Sequence, residues 1–221
     1  QRVAACANFM MYDKTPDDVM YLLMKAARHA VDETVKKMHS KLTMPVISGA
    51  ELLKQAMSYP GFDVFYENVK NTSFLALQKG ESTYAQETIH LIEKILHFIG
   101  MTEPVVVIAF APPYYPAADS RLLEDVRFDG LMQAVKTVAD VQFRHYFNGI
   151  SDCSYCCVSP DLNEKMLENN LLLWGKSYQF DFSAMAHLQI PFLLLGPWGK
   201  DLHERTERVH IASVSEKLPA V

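Results

Sequence analysis

The run PVVVIAFA, residues 104–111, followed at once by Pro112 and Pro113, most constrains what this chain can fold into. β-Branched side chains are stiff at χ1 and sit well on a pleated surface, and prolines at both ends confine the run to the length of one strand. A strand this apolar is buried and needs helices to cover it. The preceding residues supply one. Ser82 and Thr83 can cap a helix whose Ile89, Ile92, Ile95, Leu96 and Ile99 form an apolar stripe, and Gly100 stands where a left-handed residue would end it. Further upstream, RVAACANFMMY reads as a strand ended by Asp13 and Lys14. Thr15, Pro16, Asp17 and Asp18 then start a second helix, with Val19, Leu22, Leu23, Ala26, Ala30, Val31, Val35 and Met38 recurring along one face to about Leu42. Residues 43–83 carry the stops MPVISGAE, SYPGFD, VKNTS and QKGEST and read as an irregular excursion. Strand, helix, excursion, helix, strand is the order of a small sheet with both helices on one face.

The remainder alternates between helix and strand, which argues for α/β organisation. A helix is expected from about Asp129 to Asp140, then a strand-like VQFRHYF, the polar turn NGISD and the thiol-rich, strand-like CSYCCV. Helical stretches around DLNEKMLEN and from Asp181 precede a strand, IPFLLL, and the final EKLPAV reads as the first turn of a helix. The formal net charge of -5 and the absence of a lysine or arginine run argue against nucleic acid and anionic membrane as partners. No stretch approaches the roughly 20 apolar residues of a membrane span. Four cysteines, Cys6, Cys153, Cys156 and Cys157, are too few and too clustered to staple a secreted fold, so a cytoplasmic protein is expected. The chain opens at Gln1 on residues that already read as a strand, as a piece of a longer protein would.

After IPFLLL comes GPWGKDLHERTERVHI, in which glycines frame a loop presenting His203 and, four residues on, Glu207. Loops at strand ends are where rigid scaffolds present binding and catalytic groups. The pattern H-x-x-x-E-x-V, here HERTERV, resembles the C-terminal signature of the co-catalytic zinc peptidase family, which includes aminoacylases, glutamate carboxypeptidases and acetylornithine deacetylases. The turn Asn148-Gly149-Ile150-Ser151-Asp152-Cys153 resembles that family's Gly-Gly-Thr/Ser-Asp-Ala turn, with Ile150 inserted. FAPPYYP, FNGISDCSY and the His203 loop together look most like its arginine-utilisation branch.

The resemblance implies a ferredoxin-like lid or dimerisation domain, a four-stranded sheet with two helices, over residues 1–115. Residues 116–221 would then be the C-terminal half of a catalytic α/β domain. It also implies His203 as a zinc ligand, Ser151, Asp152 and Gly196 on the substrate side, and Glu207 orienting the loop. The intact site would hold two zinc ions and take a small peptide or an N-acyl amino acid, and a homodimer through the lid is implied. The family's other ligands are an H-x-D pair, a bridging Asp and a Glu-Glu pair; neither H-x-D nor Glu-Glu occurs in this sequence. The resemblance therefore implies a fragment that binds no zinc by itself and is inactive alone.

Each residue also has a plainer reading. His203 could be a surface histidine, Glu207 a solvated acid opposite Arg205 and Arg208, and Asp152 an Asx cap of its turn. Arg144 and His145 could meet a substrate carboxylate or only solvent. For Cys153, Cys156 and Cys157 a zinc knuckle lacks ligands, and strand geometry would put Cys153 and Cys156 on opposite faces, so buried structural thiols are expected rather than redox chemistry. Besides hydrolysis, a non-catalytic dimerisation or binding module on a degenerate scaffold stays open.

Overall fold

Three helix starts share one local device. Thr15, Ser48 and Thr83 each accept a hydrogen bond from the backbone three residues on, while Asp18, Glu51 and Gln86 reach back to the cap's own N–H. These reciprocal capping boxes satisfy orphan amides at the first turn. They open α1 (Pro16–Lys37), α2 (Gly49–Ala56) and, further along, α4 (Tyr84–Phe98). Between the last two lies α3 (Phe62–Gln78). The computed structural model describes residues 3–11, 14–39, 41–117, 126–144, 151–159, 162–188, 190 and 192–220, and of residues 126–128 and 152 only the backbone.

The PVVVIAFA run forms β2 (Val106–Ile108), parallel to β1 (Val46–Ser48) in the register Val46↔Val106, Ile47↔Val107, Ser48↔Ile108. Parallel strands need a long crossover, and α2, α3 and α4 provide it. A core fills the space between them: Leu52, Leu53 and Ala56 of α2, Phe62 and Val69 of α3, Leu91, Ile95 and Ile99 of α4, and Leu172 and Leu173 from far along the chain. Helix α4 ends as its glycine foretells. Gly100 sits at φ 66°, its N–H bonds to the His97 carbonyl and that of Met101 to the Leu96 carbonyl, a Schellman pair.

The chain divides into two compact units, Gln1–Tyr115 with Pro160–Ser183, and Pro116–Ser159 with Ala184–Val221. In the first unit α6 (Glu164–Asn170) packs on α1 and α2. Asn170 is buried there: its Oδ1 accepts from the Ala50 N–H at 3.1 Å, its Nδ2 donates to the Met166 carbonyl at 2.9 Å, and its own carbonyl accepts from Phe110 at 2.9 Å. Beyond it, Tyr66 donates its phenol to the Leu172 carbonyl at 2.6 Å, and burial pushes that phenol's pKa upward. The second unit contains α5 (Val126–Val138), most of α7 (Phe182–Leu188), and the hairpin β3 (Gly199–Lys200) and β4 (Arg208–Val209). Helical turns at Ser213–Lys217 and Leu218–Ala220 close the chain, as the helix-like EKLPAV foretells.

Mixed helix and small sheets agree with an α/β or α+β chain, but several particular expectations are corrected. Residues 3–11 form no ladder, and residues 3–10 are exposed; no strand among the described residues pairs with them. The excursion is ordered: it holds β1, α2 and the 17-residue α3. The described sheets are two-stranded, not the four-stranded sheet of the expected lid. In α1 only the first turns are buried, at Pro16, Val19, Met20 and Met24, whereas Leu22 and Met38 of the expected stripe are exposed. The described part of VQFRHYF, residues 141–144, is irregular, and His145 lies outside the described residues. The described part of IPFLLL is irregular too, with Ile190, Leu194 and Leu195 exposed; the Ile190 N–H is taken by the Cys156 carbonyl, and no described strand pairs with the segment. Among the described residues no helix is long and apolar enough to cross a membrane.

One polar contact joins α3 to α4 inside the core. Burial pushes the Glu87 carboxyl upward, but hydrogen bonds with Ser73 and Ser82 and the nearby His90 outweigh it and hold its pKa below the ordinary value. Glu87 and Ser73 are both buried, and His90 Nδ1 lies 3.5 Å from the carboxylate. Ser73→Ala removes one of these bonds and is expected to destabilise the chain by about 1–3 kcal/mol at neutral pH. A carboxyl with a lowered folded pKa stabilises above its unfolded pKa and loses that contribution as pH falls through the folded value. The gap between wild type and Ser73→Ala should therefore close on acidification below the ordinary glutamate range, as read from urea unfolding across pH.

Candidate functional site

The glycine-framed loop is a β-hairpin. Gly199 pairs with Val209 and Lys200 with Arg208, leaving residues 201–207 as the connection. Two non-glycine residues of that connection take left-handed backbone, Asp201 at φ 58° and His203 at φ 65°. Such conformations are uncommon outside glycine, with Asp and His among the residues that tolerate them. The turn is closed by its own groups. The Glu204 N–H bonds to the Asp201 carbonyl and that of Glu207 to the Glu204 carbonyl, each at 3.0 Å, and Arg208 Nη1 lies 3.3 Å from Asp201 Oδ2. The Glu207 carboxylate accepts from the backbone N–H of His203 at 3.3 Å. Glu207 thus orients the loop through the main chain, and the His203 side chain stands exposed beside it.

Behind the hairpin, the His210 N–H donates to the Trp198 carbonyl at 2.8 Å, and the Trp198 N–H to Ser213 Oγ at 3.0 Å. The Trp198 and His210 rings lie 5.2 Å apart. This brace was not read from the sequence, although a tryptophan between the two loop glycines was its visible signal. Gly196 is exposed, with open space where a side chain would be.

The second motif runs into a further turn where a strand was expected. Residues Asp152–Tyr155 form a 3-10 helix, and Ser151 caps it by accepting from the Cys153 N–H at 3.2 Å. The expected strand CSYCCV fails because this cap and the Cys156 N–H to Cys153 carbonyl bond, 3.0 Å, curl the backbone. Asn148, Gly149 and Ile150 lie outside the described residues, and so does the side chain of Asp152. The turn is tied to the segment that leads into the hairpin by the Ile190 to Cys156 bond, 3.0 Å. Burial and the adjacent Cys153 thiol push the Cys156 thiol above its ordinary value. Arg144 meets the Gln142 side chain at 3.3 Å.

The chain is similar to two proteins of Bacillus subtilis (strain 168). It is 22% identical over 232 residues to the uncharacterized protein YqjN and 26% identical over 235 residues to protein RocB. Both matches cover 96% of this chain, which spans only 41% of the length of either curated relative. No family model matches the chain, and no solved structure does either.

Among the described residues no three His, Cys, Asp or Glu side chains converge as a metal-binding group. A hydrolytic zinc needs about three protein ligands and a water. The single imidazole of His203 does not fit that requirement.

An aromatic cluster in the first unit also went unread in the sequence. Trp174 stacks on Phe182 at 5.6 Å, Phe180 packs edge-on to both, and Tyr178 Oη accepts from the Tyr114 N–H at 2.8 Å while donating to the Tyr114 carbonyl at 2.9 Å. The alternation of rings at 178, 180 and 182 could have revealed it. It anchors the Tyr114-Tyr115 segment and lies in the other unit from His203.

The hairpin depends on a close approach at Gly199, where a Cβ would sit 2.8 Å from the Arg208 carbonyl oxygen. Gly199→Ala is expected to break the pairing while leaving the first unit folded. Amide hydrogen exchange at His210 should then quicken by at least about tenfold, the effect of losing roughly 1.4 kcal/mol of local stability. Unchanged protection would show that the hairpin absorbs the added methyl without parting its strands.

Proposed function

We propose that this chain is part of a zinc-dependent exopeptidase or amidohydrolase that splits an amide near a free carboxylate. The single observation that carries the reading is the hairpin presenting His203, braced through Glu207 and matching the family's H-x-x-x-E-x-V pattern. Similarity to protein RocB across nearly the whole chain supports the arginine-utilisation branch. In this reading residues 1–115 act as the lid, residues 116–221 as one half of the catalytic domain, and Ser151, Asp152 and Gly196 border a small peptide or N-acyl amino acid. His203 supplies one imidazole, and the remaining ligands come from a part of the longer protein that this chain does not contain. The isolated chain is then inactive.

The reading predicts that coding sequence upstream of Gln1 specifies an H-x-D pair, a further Asp and a Glu-Glu pair. It also predicts that the longer product hydrolyses N-acyl amino acids only with zinc. His203→Ala in that product should lower kcat/KM by more than about 100-fold, since even groups one shell further out cost about 10- to 100-fold. Zinc-dependent hydrolysis by the isolated chain, or activity that survives His203→Ala, would sink the proposal.

A second reading, a non-catalytic dimerisation or binding module, is favoured by the large side chains left exposed on α1, Tyr21 and Leu22 among them. It predicts a stable dimer in sedimentation velocity. A strictly monomeric species at the highest soluble concentration counts against it.

A further inference from the structure

We propose that Cys153 and Cys156 form an oxidisable dithiol that closes an intramolecular disulfide by exchange with a small-molecule disulfide of the glutathione type. The strand expected here would have kept these thiols on opposite faces; the turn actually formed brings them together. The Cys156 N–H bonds to the Cys153 carbonyl at 3.0 Å, an i to i+3 closure that holds the two Cα atoms within about 7 Å. Disulfides bridge Cα separations of about 4.4–6.8 Å. Side chains at i and i+3 of a 3-10 helix eclipse, so both sulfurs leave one side of the turn. The Cys153 thiol is near enough to Cys156 to help push the Cys156 thiol pKa upward.

Two features separate this pair from the other two cysteines, access from Cys157 and unit from Cys6. Cys153 and Cys156 are each partly exposed, Cys157 is buried, and Cys6 belongs to the other unit. The Ser151 cap fixes the turn on one side, and the Ile190 N–H on the Cys156 carbonyl fixes it on the other. The ring therefore closes on a backbone that is already shaped for it.

The exchange balances without any further reagent. The Cys153 thiolate attacks one sulfur of the small disulfide, forming a mixed disulfide and expelling one small thiolate. The Cys156 thiolate then attacks the Cys153 sulfur and expels the second. Two protein thiols give up two protons and two electrons, and the reagent leaves as two thiols. Because the thiolate is the nucleophile, and burial raises the Cys156 pKa, the second step should speed up with rising pH. The closed ring stiffens the turn that carries Ser151 and Asp152.

The test uses the full reduced chain, incubated with oxidised glutathione at mildly alkaline pH, quenched with acid and read by intact mass and peptide mapping. The expected product is two hydrogens lighter, carries no glutathione, and has lost iodoacetamide labelling at Cys153 and Cys156 only. Cys156→Ser should stop at a glutathione adduct on Cys153, and Cys157→Ala should close the same ring. A lasting adduct on the wild-type chain, a bond to Cys157, or thiols that all stay free would overturn the proposal.

Discussion

The first unit depends on Asn170. Its side chain and its carbonyl together take the N–H of Ala50 at the start of α2 and that of Phe110 just past β2, while Nδ2 returns to its own helix at Met166. A buried amide whose oxygen and nitrogen both have partners is stabilising, and the same amide with one of those bonds missing is costly, because water cannot replace the partner. The node is therefore close to all-or-none. Its geometry delivers Leu172 and Leu173 to the core made by α2, α3 and α4, and Leu171 before them is buried as well. The Phe110 to Asn170 bond also makes residue 171 a short extension of the sheet, as the parallel bridge between Phe110 and Leu171 records. Without residues 160–183 the β1–β2 ladder would be an isolated pair of three-residue strands, too little sheet to stand alone.

How much was legible depends on which signals are local. Capping is local chemistry, so Thr15 with Asp18 and the cap at Thr83 were readable, as was the left-handed stop at Gly100. The polar triplet Asn71-Thr72-Ser73 was misread as a stop. Within α3, Thr72 bonds back to the Asn68 carbonyl and Ser73 turns inward to Glu87, so a tertiary partner absorbs what looked like loop chemistry. Gly61, which opens α3 without a side-chain cap, gave no start signal to set against that reading. Strands failed for a complementary reason. Apolar character marks a segment as able to pair, but a strand exists only when a second backbone offers its ladder, and for residues 3–11 and 192–195 none of the described residues does.

The backbone that carries the candidate residues was legible only in part. The glycines marked a loop, and the structure makes it the connection of a hairpin. Periodicity could not foresee that Glu207 acts on the main chain of His203, since spacing of four residues says only that the groups are near. For the cysteines the error had consequences. Reading CSYCCV as extended separated Cys153 from Cys156, whereas a serine cap at Ser151 followed by a small-residue turn was an equally local signal for a 3-10 curl. One hydroxyl changes which thiols are neighbours, and with them the chemistry open to the turn.

The conformation of His203 bears on whether the hairpin exists for folding or for presentation. A left-handed non-glycine residue costs about 1–3 kcal/mol and persists only where its surroundings determine it. Here that determination is visible: Glu207 holds the His203 N–H, the Asp201–Arg208 pair spans the base of the turn, and the Trp198–His210–Ser213 brace fixes the strand ends behind it. None of these contacts uses the His203 side chain, and the residue is exposed. A loop selected only to connect β3 to β4 would relieve the strain with glycine at position 203. Keeping a histidine there is economical if the side chain has a partner outside this unit, and a braced, outward imidazole is the form in which one ligand of a shared metal site would be offered.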